Sequence, residues 1–244
     1  MKILIYDGTF QGLLTLIFYC YNKRFIPDLV FKKSNPTIFN IIDYIESDFE
    51  KSRIVGEFII KKLDKQILKN IYLAYLSEIE NIESSIIKYF NLSLKMQRNA
   101  EIHIEKNYVL SVKNAIYKVI KEKQRFLGLL RFRELFNGIL YAPFEPDHNI
   151  ITLLASHFSD RLKNKIWIIH DLKHGLAIIY DKKLELVKIL NYNMNLEKSI
   201  SSSEKEFQSL WKTYFKNVAI SERKNIRLQK QFMPQRYWKY LTEI

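Results

Sequence analysis

The spacing of apolar residues along this 244-residue chain changes near Phe126, and that change limits its fold more than any other feature. Before it, apolar residues recur at helical intervals: Ile82, Ile86 and Phe90 in one segment, Val109, Val112, Ile116 and Val119 in another. After it, Leu130 and Phe132 alternate with Arg131 and Arg133, the two-residue period of a strand. A helical first half followed by a sheet-forming centre predicts an α+β fold.

The centre carries its own punctuation. Asn137-Gly138 lies between Leu135-Phe136 and Ile139-Leu140, and an Asn-Gly pair suits a type I′ hairpin turn, in which both central residues have positive φ. The two prolines of APFEPDHN force a loop, after which residues 150–162 read as a helix capped by Asn149. Residues 166–169, 176–180 and 184–190 read as strands, and the short turns between them, at 171–175 and 181–183, predict antiparallel neighbours. Region 126–195 is therefore expected to be a central antiparallel sheet of about five strands with one inserted helix.

Two helical regions flank it, and all three can share one compact domain. Region 1–125 opens with a short strand at 2–6, turns at Asp7-Gly8-Thr9, and enters a helix over about 10–23 with Asp7 or Thr9 as its cap. A loop is expected around Ser34, Asn35 and Pro36. Region 196–244 is basic and aromatic-rich. Ser203 and Glu206 have capping-box spacing, and Phe207, Leu210, Trp211, Tyr214 and Phe215 fall on one helical face. Two shorter helices follow, separated by Met233-Pro234.

Composition excludes several classes. Hydrophobic residues make up 48% of the chain, so a packed core is expected rather than disorder. The single cysteine, Cys20, excludes an internal disulfide framework and a multi-cysteine metal site, and reads as a small buried apolar residue. The apolar run at 13–21 falls short of the ~20 residues that a spanning helix needs, and the N-terminus lacks a signal-peptide layout. A cytoplasmic protein is expected.

The net charge of +13 partly reflects a general richness in lysine, so its distribution says more. Residues 205–241 hold nine basic side chains and only two acids, Glu206 and Glu222, a net +7. Basic residues alternate there with Phe232, Tyr237, Trp238 and Tyr240. Guanidinium and ammonium groups neutralise phosphates, and aromatic faces stack on unpaired bases. Arg131, Arg133, Arg223, Lys224, Arg227, Lys230, Arg236 and Lys239 are the candidate nucleic-acid contacts, with Arg223 and Arg227 spaced to share one helical face. The bland alternative is a packed terminal helical pair with solvated charges.

Catalytic signals are weaker. IYDGT is comparable with the turn of phosphotransferases that use two aspartates, but Ile5 stands at the nucleophile's position. His170 and His174 are four apart on a strand and turn, where that spacing does not align two imidazoles, so no metal site is expected. His157 and Arg161 share a face of a predicted helix, and with Asp171 they form the one acid–base candidate. No nucleophile elbow, phosphate loop or dinucleotide fingerprint is present, and no cofactor is expected.

Three blocks together carry a family resemblance: IYDGTFQGLL, RFRELFNGILYAPFEPDHNIITLLASHFSDRLKNKIWIIHDLKHGLAIIYD and ISERKNIRLQKQFMPQRYWKYLTE. The chain resembles a bacterial family of DNA metabolism and DNA repair proteins. Its domain of unknown function also occurs fused to uracil-DNA-glycosylase-like domains and alongside a radical SAM protein. The resemblance implies DNA and a radical SAM enzyme as partners and supplies no catalytic residues. This chain has neither the glycine- and proline-rich loops of a glycosylase base pocket nor a three-cysteine cluster. Lys173-His174 departs from the arginine-like pattern expected at that turn. The leading expectation is an accessory that binds DNA, a partner enzyme, or both. The alternatives are an enzyme built on His157, Arg161 and Asp171, or a purely protein-binding adaptor.

Overall fold

A computed structural model describes residues 3–32, 43–189 and 199–243. The loop expected around Ser34, Asn35 and Pro36 lies outside them. The chain divides into two compact units, Met1–Ile120 and Lys121–Ile244.

The first unit is built on a small parallel sheet. Strand β1 (Ile3–Tyr6) lies between β2 (Leu29–Lys32) and β3 (Asp43–Ile45) and is parallel to both. The sequence suggested only the first of these, from its apolar run closed by the Asp7-Gly8-Thr9 turn. Helix α1 (Phe10–Asn22) links β1 to β2, and its buried face of Leu13, Leu16 and Ile17 packs into the core. Each such side chain contributes about 1.5–3 kcal/mol on burial. Helices α2 (Phe49–Phe58), α3 (Lys65–Leu76), α4 (Ile82–Met96) and α5 (Asn107–Leu129) follow, with a π-helical turn extending α2 over Ile59–Leu63. Ile82, Ile86, Phe90, Val109, Val112 and Val119 are all buried, as their spacing predicts. Cys20 is buried too, and burial pushes its thiol up to about 12.

The turn after β1 is tied down by its own side chains. Thr9 is the N-cap of α1 and accepts from the Gly12 N–H at 2.9 Å. Asp7 accepts from the Thr9 N–H and hydroxyl, and from the backbone and hydroxyl of Ser47. Gly12 makes room for that carboxylate, since a Cβ there would sit 2.0 Å from Asp7 Oδ1. The chain supplies its own anion at this helix start. Partial burial would raise the Asp7 pKa, but the hydrogen bonds from Ser47 and Thr9 hold it below the usual range.

The second unit contains a five-stranded sheet in the order β4 (Arg133–Glu134), β5 (Leu140–Phe144), β6 (Trp167–Asp171), β7 (Leu176–Asp181), β8 (Lys183–Lys188). The α+β class, the strand count and the inserted helix agree with the expectation. The sheet is mixed, however: β5 and β6 are parallel, and the other three pairings are antiparallel. The inserted helix, α6 (Ile151–Arg161), is the reason, because a loop plus three turns of helix is a crossover long enough to return the chain parallel. Its cap is Ile150, not Asn149, and has no side-chain cap bond. Trp167 is fully buried and stacks on Tyr180 across β6 and β7, 5.2 Å between centroids.

The β4–β5 hairpin forms, but through a different turn. The Gly138 N–H donates to the Leu135 carbonyl at 2.8 Å, and only Gly138 has positive φ (+78°). This is a type I turn followed by a left-handed glycine rather than type I′. Asn137 stays out of the left-handed region and accepts from the Ile139 N–H instead.

Helix α7 (Ser202–Val218) starts two residues earlier than its capping-box spacing suggests. Ser201 is the N-cap and accepts from the Glu204 N–H, while Glu204 accepts from the Glu134 N–H. A 3-10 turn at Ser221–Arg223, helix α8 (Ile226–Phe232) and a second 3-10 segment at Gln235–Tyr240 complete the unit.

Candidate nucleic-acid interface

The eight candidate cations divide into two groups, and the division begins at a buried carboxylate. Glu122, on α5, is only 3% exposed. Its Oε1 accepts from the Asp147 N–H (2.7 Å) and the Tyr237 hydroxyl (2.5 Å), and its Oε2 from the His148 N–H (2.8 Å). One side chain thus joins α5, the β5–α6 loop and the C-terminal 3-10 segment. Burial, then the Glu122 carboxylate, pushes the Tyr237 phenol far above its ordinary range, so it stays a donor.

Around this anchor, four of the candidate cations are engaged within the chain. Arg236 pairs with Asp147, and Lys239 donates to Glu145 at 2.7 Å, whose other oxygen accepts from Tyr240. Those bonds hold the Glu145 carboxyl below its usual range. Arg131 forms a two-pronged bond with Glu243 and also donates to the Gly128 carbonyl. Burial would raise the Glu243 pKa, but the Arg131 bonds outweigh it and lower it. Arg133 reaches the Tyr240 carbonyl at 3.4 Å. These four charges clasp the C-terminal segment to the end of the sheet.

The other four remain outside. Arg223, Lys224, Arg227 and Lys230 are exposed, and none is held by an ion pair to a described residue. They do not lie on one continuous helix. Arg223 ends the 3-10 turn, and the Asn225 cap separates it from Arg227 on α8. Arg227 and Lys230, three apart, share a face of α8 instead.

Beside them, α7 buries none of its residues, and its apolar face is exposed: Phe207 is 61%, Leu210 68% and Tyr214 57% accessible. The spacing identified that face correctly, but in this chain it is not packed into a core. Lys205, Lys212 and Lys216 fall on the opposite side. Between the end of α7 and the following turns lies a groove of about 550 Å³, lined by Tyr214, Phe215, Ile220, Lys216, Arg223 and Lys224 among others, with no acidic residue.

The structure does not gather the acid–base candidates. Because β5 and β6 are parallel, α6 returns the chain to the start of β6, placing His157 and Arg161 at that end and exposed. Asp171 is fully buried at the other end of β6, four residues or roughly 13 Å along the strand. Its oxygens accept from the Lys173 and His174 N–H groups and pair with His174 Nδ1 at 2.6 Å. His170, also buried, shares a 2.7 Å hydrogen bond with Tyr141. Burial lowers the His170 pKa, with Asp171 opposing. Among the described residues, no group of histidine, cysteine and carboxylate side chains is arranged to hold a metal ion. No described helix is long and apolar enough to cross a membrane.

A model of the domain of unknown function DUF4130 matches residues 80–243, most of the chain. The chain belongs to the DUF4130 family. The DUF4130 match takes in the Glu122 anchor, the C-terminal clasp and the four outward cations, while β1–β3 precede it. No curated protein and no solved structure matches the chain.

Proposed function

We propose that this DUF4130 protein is a nucleic-acid-binding accessory of DNA metabolism, gripping the phosphate backbone with Arg223, Lys224, Arg227 and Lys230. The observation that carries the reading is the division of cations. Where the chain uses positive charge for its own fold, each group meets a carboxylate or carbonyl. Along 223–230 four exposed charges meet none among the described residues, and a run of this kind attracts a polyanion. The family resemblance supports DNA as the polyanion, repair as the setting and a radical SAM enzyme as the partner. It carries no catalytic step for this chain.

The exposed apolar face of α7 favours a second role in the same protein, as the surface that meets a partner enzyme. The test of the primary reading is fluorescence anisotropy of a labelled DNA oligonucleotide at low salt. The wild type should bind. The triple variant Arg223→Ala/Arg227→Ala/Lys230→Ala should bind far more weakly with unchanged circular dichroism. Equal binding by the two proteins would remove the 223–230 run from the interface.

A further inference from the structure

We infer that the groove at the end of α7 seats an unpaired nucleotide, so that the protein prefers single-stranded to duplex nucleic acid; this rests on the phosphate-binding reading above. The groove combines two chemistries. Its rim carries Lys216, Arg223 and Lys224 and no carboxylate, which suits phosphate. Its wall carries the rings of Tyr214 and Phe215, 57% and 42% exposed, beside Ile220 at 51%.

Exposed rings next to cations that no described residue pairs fit a strand whose bases are free to stack, since every base has a π-face and the contact needs no sequence. In a duplex those faces are already stacked, and only phosphates would reach the rim. A volume of about 550 Å³ lies within the roughly 300–1,000 Å³ of pockets that enclose a small organic ligand, enough for a base and its sugar. Charge complementarity selects this occupant over an uncharged apolar partner: desolvating three cations against such a surface would leave them unpaired.

The experiment compares a labelled oligothymidylate with a hairpin duplex of equal phosphate count, using the full chain and the variant Tyr214→Ala/Phe215→Ala. Both rings are exposed, so the variant should fold, and circular dichroism checks this. The wild type should favour the single strand, and losing one stacked base should weaken that binding roughly 5- to 150-fold. Duplex affinity and both salt slopes should be unchanged. Trp211, whose ring stacks on Tyr214 at 5.6 Å, should report oligothymidylate binding by a change in fluorescence. Equal affinity for the two forms, with no effect of the ring variant, would overturn this inference and leave the phosphate reading standing. Failure of both nucleic acids to bind at low salt would overturn both. Concentration-dependent self-association of the wild type that the ring variant abolishes would overturn it too, by showing that the rings meet protein.

Discussion

Replacing Glu122 with alanine should strongly destabilise the second unit. The wild-type side chain is 3% exposed and satisfies three donors, the N–H groups of Asp147 and His148 and the Tyr237 hydroxyl. Alanine leaves all three facing a small cavity, and each stranded donor costs about 1–3 kcal/mol. Water can reach the partly exposed loop, so we expect a total of about 3–5 kcal/mol, a large share of the ~5–15 kcal/mol that holds a domain folded. Glu122→Gln should cost about 2 kcal/mol, because its amide can keep two bonds while turning an N–H toward a third donor. Tyr237→Phe removes one hydroxyl and should cost about 1 kcal/mol. The assay is urea unfolding followed by tryptophan fluorescence. All three tryptophans, Trp167, Trp211 and Trp238, lie in the second unit, so the signal reports that unit. A Glu122→Ala variant within about 0.5 kcal/mol of wild type, below the cost of one stranded donor, would refute the reasoning. So would a Tyr237→Phe variant less stable than Glu122→Gln.

Two further outcomes follow from particular contacts. Gly12→Ala should lower stability measured by thermal circular dichroism, even though alanine gains up to about 1 kcal/mol in helix propensity, because the new Cβ meets Asp7 Oδ1; a variant as stable as wild type would mean that Asp7 moves aside freely. His170 has a folded-state pKa below its unfolded value near 6.5, so between the two the unfolded state binds more protons and stability rises with pH. Unfolding free energy of the second unit should therefore fall as pH drops below about 6.5, and His170→Asn should remove that part of the pH dependence; identical profiles for the two proteins would contradict it.

The fold was legible wherever a period ran long enough. Strands β6–β8 were visible because each is an apolar-rich run of five or six residues set off from the next by a tight turn. Strands β2 and β3, four and three residues long, were not read from the sequence. The parallel β5–β6 pair was misjudged by extending the short-turn argument to a connection that contains a whole helix.

The candidate interface was half legible. The sequence shows that cations crowd the C-terminal region, but not which are already engaged. The partner of Arg236 lies 89 positions away, that of Lys239 94, and that of Arg131 112. No local pattern records such pairs. Glu122 was missed for the same reason: an acid in a lysine-rich helix reads as a solvated residue until the fold buries it.

The measurement that bears most directly on the central claim is the salt dependence of DNA binding, wild type against two sets of variants. If Arg223, Lys224, Arg227 and Lys230 each neutralise one phosphate, the log–log slope on duplex DNA should be about −3.6, roughly 150-fold weaker binding between 50 and 200 mM salt. Replacing Arg223, Arg227 and Lys230 by alanine should reduce the slope to about −0.9. Replacing Arg236 or Lys239, whose charges meet Asp147 and Glu145, should leave it unchanged and lower stability instead. A slope that survives the triple change, or one that flattens when Arg236 is replaced, would contradict the division of cations on which the account stands.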